Sequence, residues 1–165
     1  MKTLWRLSNS TVLASQDHPG NRWVAPGANV VLLHDSALAA ICARLSLVEA
    51  EHPRRLPRGY RLMEIAVPGR SSSAPRLPHT WRSDLPATRA IGHDWLDEQR
   101  SLLMQVPGMS GGWQYLLNCD HPDMARCKVV SCATAPFSPY VDAMSAVDQA
   151  HDWLAKTPQM ARDAA

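Results

Sequence analysis

The sequence predicts an α+β fold in a single domain, and three observations carry that prediction. Short apolar runs of strand length mix with three helix-like stretches in the order β-β-α-β-α-β-β-α, which lacks the regular alternation of a doubly wound parallel sheet. Thirteen prolines, and six tryptophans against one phenylalanine, describe many short elements joined by turns and exclude a helical bundle or coiled coil. A length of 165 residues at 45% hydrophobic content is enough to bury one core without disulfides or metal.

The elements follow in order. Residues 4–7 (Leu-Trp-Arg-Leu) read as a short opening strand. A Gly/Pro-rich loop from Gly20 to Gly27 follows, and then the β-branched run 30–33, whose length suits a buried strand. Ser36 can cap a helix whose apolar positions Ala37, Leu38, Ile41 and Leu45 keep helical spacing. Residues 60–67 alternate and stop at Pro68-Gly69, as a strand would. The stretch 69–79, with three consecutive serines, reads as an exposed excursion. A second helix is expected over 87–99, with Ile91, Trp95 and Leu96 on its apolar face. Strands at 102–106 and 128–132 come next. Ser138-Pro139 then starts an amphipathic helix through Tyr140, Met144, Val147, His151 and Leu154.

A formal charge of +2 and a pI near 8.5 are too mild for a nucleic-acid partner, whose phosphates are met by a concentrated basic face. Arg54, Arg55, Arg58 and Arg61 cluster among prolines and a glycine, which reads as a solvated loop ahead of a phosphate-binding patch. No segment approaches the roughly 18 apolar residues of a membrane span, nor does the N-terminus carry a signal-peptide core, so a soluble cytoplasmic protein is expected. Cysteines 42, 119, 127 and 132 suit reduced thiols better than a disulfide framework.

Among candidate chemistries, Arg22 is the sharpest. Held between Gly20 and Pro26-Gly27, its planar fork could meet a diphosphate, although a surface arginine in a turn has the same pattern. Cys119, His121, Cys127 and Cys132 lack the paired spacing of a metal knuckle, so no metal is expected. His34-Asp35 is a proton-transfer pair or, more simply, a helix-entrance contact. Trp23, Trp81, Trp95 and Trp113 could stack on a nucleobase or nicotinamide, with core or rim packing the simpler role. No Ser-His-Asp set, phosphate loop or HExxH motif is present.

Taken in order, several short motifs resemble the RES domain, a bacterial toxin family. They are Leu4-Trp5-Arg6-Leu7, Gly20-Asn21-Arg22-Trp23 through Gly27, Val30-Val31-Leu32-Leu33 and Ser36-Ala37-Leu38-Ala39, then Leu56-Pro57 through Tyr60 and Trp81. The run from Thr88 to Leu96, Val106-Pro107, Leu116-Leu117-Asn118 and His121-Pro122 complete the set. The resemblance implies an ADP-ribosyltransferase-like fold over residues 1–142, with 143–165 as a C-terminal helix and tail packed on the same domain. It also implies NAD as substrate or ligand, cleaved at the nicotinamide-ribose bond by phosphorolysis, hydrolysis or ADP-ribosyl transfer. The implied partner is an Xre-type antitoxin protein, and a homodimer is compatible with it.

By the same resemblance, Arg22 would grip the NAD diphosphate or ribose, with Trp23 and Asn118 beside the cofactor. Three positions depart from the family pattern. Leu32 stands where a tyrosine is usual, Cys42 where the helix carries the active-site glutamate, and Gly108 where a serine is usual. A transition state that builds positive charge on the ribose needs a carboxylate nearby, and a mostly neutral thiol is a poor substitute. The expectation is therefore a toxin with an eroded catalytic set or a catalytically inactive binding module. Asp35, Glu49, Glu51 and Glu64 are the carboxylates that could replace the missing one.

Overall fold

A computed structural model describes residues 1–14, 19–69, 72–109 and 111–146. Seven strands form one sheet, β1 (Lys2–Ser8), β2 (Val30–His34), β3 (Arg61–Val67), β4 (Ser72–Ser73), β5 (Leu103–Pro107), β6 (Trp113–Asn118) and β7 (Lys128–Thr134), in the order β4-β5-β6-β2-β1-β3-β7. Helices α1 (Ala37–Leu47) and α2 (Leu85–Glu98) pack on it, and α3 occupies 138–146. The α+β expectation holds. The Val147, His151 and Leu154 part of the last helix, and the tail to 165, lie outside the described residues.

The sheet is two half-sheets meeting at a narrow seam. Every neighbouring pair is antiparallel except β4 with β5, and long ladders join β1 with β3, β3 with β7, β2 with β6 and β5 with β6. Between β1 and β2 the register rests on Trp5 opposite His34. Strands that share so little ladder diverge, and the halves fold over a common core. Leu4, Met63, Ile65 and Val67 from one half meet Val31, Leu33, Leu103 and Leu117 from the other, all at or below 1% exposure.

Each half carries a helix on its outer face. The small face of α1, Ala37, Ala40 and Ile41, packs with Leu45 on Leu7 and Leu62, and Phe137 closes that cluster ahead of α3. Ser36 caps the helix by accepting from the Ala39 N–H at 3.1 Å, as its sequence signal predicts. Helix α2 lays Trp95 and Ile91 against Val30, Met104, Val106 and Leu116. Asp84 caps it, with Pro86 in the first turn, so it begins two residues before the sequence expectation.

Two strands escaped the sequence reading. β6 was not anticipated as a strand, yet it makes β2 an interior strand; β4 is a two-residue ladder inside the expected excursion. The four cysteines are free thiols.

Candidate functional site

The loop before β2 is fixed by its own chemistry. Asn21 folds back so that its Oδ1 accepts from the Trp23 and Val24 N–H groups at 2.7 and 3.0 Å, a turn that the left-handed Gly20 (φ +80°) makes possible. Thr88 of α2 donates its hydroxyl to the Arg22 carbonyl at 2.9 Å, and Gly92 lets the loop backbone lie directly on the helix. This docking sends the side chains of the loop in directions that the sequence does not reveal.

Where β1 and β2 part, a cleft of about 460 Å³ opens. Its walls are the C-terminal end of β1, Val30, Val31, Leu32 and His34 of β2, the loop at Gly20 and Asn21, Gln114 of β6, and one stripe of α1. That stripe is Ala40, Ala43, Arg44 and Leu47, spaced as successive positions of one helical face. Two cations enter, Arg6 from β1 and Arg44 from α1. Burial, with Arg44 close by, lowers the pKa of Arg6 below its ordinary value. Arg6 donates to the Val12 carbonyl at 2.8 Å, and Arg44 Nε donates to the Leu7 carbonyl at 3.4 Å. No carboxylate is among the described residues that line the cleft.

The expected site residues divide accordingly. Leu32 lines the cleft, half-buried, and offers methyl groups where a hydroxyl was expected by resemblance. Arg22 does not line it; the guanidinium expected to grip a diphosphate donates from Nη1 to the Trp81 carbonyl at 2.9 Å. Trp23 is 2% exposed and stacked on Trp81 with ring centroids 5.6 Å apart, so it is a core residue with no free face for a ligand. Cys42 is exposed and one position away from the cleft stripe, and partial burial pushes its thiol up, against any nucleophilic role. The α1 residue that faces the cleft at this level is Ala43.

Gly108 is buried in the turn after β5, where a Cβ would stand 2.6 Å from the Gly111 carbonyl oxygen, so a serine there needs the turn to move. Asn118 sits at the other end of β6 from Gln114, 1% exposed, with its Oδ1 accepting from the Asp120 N–H. Among the candidate replacement acids, Glu64 accepts from Ser131 and Glu51 pairs with Arg55, while Asp35 and Glu49 are exposed. None of the four lines the cleft. Nor do the described residues contain a group of three or more His, Cys, Asp or Glu placed to hold a metal ion.

His34 completes the cleft floor and is 7% exposed. Burial, partly offset by Asp35, holds its imidazole down at about 4. An unfolded histidine protonates near 6.5, so between those values the unfolded chain binds a proton that the folded chain refuses. The stabilisation is therefore complete above about pH 6.5 and falls as the pH drops, by on the order of 3 kcal/mol from this group. Denaturant melts from pH 7 to 4 are expected to show this loss, and a His34→Gln variant to lack it. An unchanged acid dependence in the variant would place the titration elsewhere.

Arg6, Arg44, Gln114 and Ala43 were not expected at the site. The signal for Arg6 was present as a charged residue between apolar neighbours inside a strand, and for Arg44 as the cation one turn after Ala40 on a face of small residues. Neither says that the two arginines line one cleft, because they come from different elements, β1 and α1, that are far apart in the chain.

Known proteins give the same outline. The RES domain family matches residues 3–143. A curated protein called Toxin Res, from Pseudomonas putida, is 31% identical over 132 residues, covering 76% of this chain and 90% of that protein. Among solved structures, a chain of the M. tuberculosis MbcT–MbcA toxin–antitoxin complex superposes with a TM-score of 0.67 at 18% identity, covering 84% of this chain and 86% of that one. Among the described residues, no helix is long and apolar enough to cross a membrane.

Proposed function

The chain belongs to the RES domain family, and from that premise we propose that it is the toxin-type member of a toxin–antitoxin pair whose seam cleft takes NAD, with an eroded catalytic set. The observation that carries this reading is the charge of the cleft. Two guanidinium groups and no described carboxylate make a site for the anionic part of a dinucleotide, since arginine forks match phosphate oxygens.

The same charge opposes the bond-breaking step. Departure of nicotinamide leaves positive charge on the ribose, and nearby cations raise the energy of that state where a carboxylate would lower it. Leu32 offers no hydroxyl to position the ribose, and Cys42, outside the cleft, cannot take over for an acid. Binding and turnover are thus separated in this molecule. The diphosphate-gripping role that sequence gives to Arg22 passes to Arg6 and Arg44, and Arg22 serves by pinning its loop to Trp81.

The lack of an acid among the described lining residues also favours a second reading, a non-catalytic RES-fold module whose task is to contact an Xre-type antitoxin or an active relative. The toxin–antitoxin complex with the same fold supports a protein partner in either case. A cytoplasmic setting goes with both, in keeping with free thiols.

Calorimetric titration with NAD, together with nicotinamide release measured with phosphate present, tests the proposal. Binding with release no faster than buffer is the expected result. Arg6→Gln and Arg44→Gln are each expected to weaken NAD at least about tenfold, or about 1.4 kcal/mol, and Arg22→Gln to weaken it less. Rapid release by the unaltered protein would overturn the eroded set. Absence of NAD binding would leave only the protein-contact module.

A further inference from the structure

We infer that the chain has a second anion site, separate from the seam cleft, which takes a small phosphate-class ligand, best a diphosphate. It is a cleft of about 530 Å³ between the turn after α1 and the end of β7, and Arg54, Arg58 and Arg61 all line it. None of the ion pairs among the described residues involves these three arginines, whereas Arg55, which does not line the cleft, is paired with Glu51 at 3.1 Å. No acid is among the described lining residues. Like charges gathered without a counterion repel one another, and a polyanion relieves that repulsion while filling guanidinium forks that otherwise face water.

The frame that holds them is stiff. Pro53 and Leu56 are buried, and the single turn Pro53–Arg55 is closed by the Leu56 N–H donating to the Pro53 carbonyl at 3.1 Å. Arg61 lies in the β3 ladder opposite Thr134. Gly59 has φ +102° and nothing within 4 Å of where a Cβ would be, so a ligand can approach the backbone there. Concavity, three free forks and open backbone favour a compact anion over the extended acidic face of a protein partner. Tyr60 lines this cleft and carries the Arg44 guanidinium 5.6 Å from its ring centroid, so the two anion sites share a wall.

Titration of the full chain with inorganic diphosphate, followed by backbone amide NMR, distinguishes the sites. Shifts at Gly59, Arg61 and Thr134 are expected to saturate, with inorganic phosphate at least about tenfold weaker because it engages fewer forks. The Arg58→Gln/Arg61→Gln pair is expected to weaken diphosphate at these amides at least tenfold, while Arg6→Gln leaves them within about twofold. Should that pair fold poorly, Arg58→Lys/Arg61→Lys keeps the charge and loses the forks, and the same weakening is expected. No shift at these amides in millimolar diphosphate, or shifts indifferent to both variant pairs, overturns the inference. Equal or tighter binding of an acidic peptide at these amides also overturns it and makes the patch a protein contact.

Discussion

Gly92→Ala is expected to destabilise the fold severely. A Cβ at position 92 would lie 1.7 Å from the Trp23 carbonyl oxygen and 2.8 Å from the carbonyl carbon, and both belong to main chain that cannot swing aside as a side chain can. The single added methyl must therefore push the loop off α2. Moving it separates Trp23 and Val24 from Trp95 and Leu116, and takes the Thr88 hydroxyl from the Arg22 carbonyl. Overpacking of a core ordinarily costs about 1–3 kcal/mol, and a backbone collision of this depth belongs at or beyond the top of that range. For a domain of this size that corresponds to a fall of about 10 °C in Tm, or to insoluble expression. A thermal melt by circular dichroism reads the result. An unchanged midpoint would mean that the loop does not rest on the helix as described. Any protein that does fold is expected to lose NAD affinity too, because Gly20 and Asn21 reach the seam cleft only through this docking.

The second large effect is a gain. Ala43→Glu is expected to raise nicotinamide release at least about 10²-fold over the unaltered chain, and Cys42→Glu to leave it at background. The two positions are neighbours in sequence but a helix turns by about 100° per residue, so Ala43 faces the cleft and Cys42 faces solvent. A carboxylate at 43 would join the stripe that carries Arg44 and would supply the anion that a developing ribose cation requires, an effect commonly worth 10²- to 10³-fold. Burying it beside two guanidinium groups keeps it ionised. Nicotinamide quantified after incubation with NAD decides the matter. A response from Cys42→Glu and none from Ala43→Glu would return the catalytic position to 42 and reverse the assignment of faces.

That contrast shows what the sequence carried and what it did not. Periodicity placed α1 and its Ser36 cap, the strand at 30–33 and the alternating strand before Pro68, since each depends on neighbours along the chain. The likeness to the RES domain, read from ordered short motifs, was legible for the same reason, and the family match bears it out. The direction of Arg22 was not legible, because a contact 59 residues away, the Trp81 carbonyl, decides it. The burial of Trp23 depends in the same way on Trp81 and α2. β6 was missed because Trp113 through Leu117 mixes a 49% exposed tryptophan with buried residues on both faces of the sheet, which blurs the alternation of a strand covered on one side only. Without β6, the pairing of β2 on both edges could not be seen, and neither could the place where β1 leaves it.

The parting of β1 from β2 has a mechanical consequence. Beyond Trp5 the β1 main chain has no β2 partner, and at Leu7 the carbonyl is met by the Arg44 side chain at 3.4 Å, a long and therefore weak contact. The guanidinium thus acts as a removable clasp on the open edge of a strand whose other edge is laddered to β3 as far as Ser8. An anion that draws it away gains a strong charged contact at the expense of a feeble one, and the released carbonyl opens toward the same cavity. Loading the cavity and freeing this edge of the first strand from α1 become a single event.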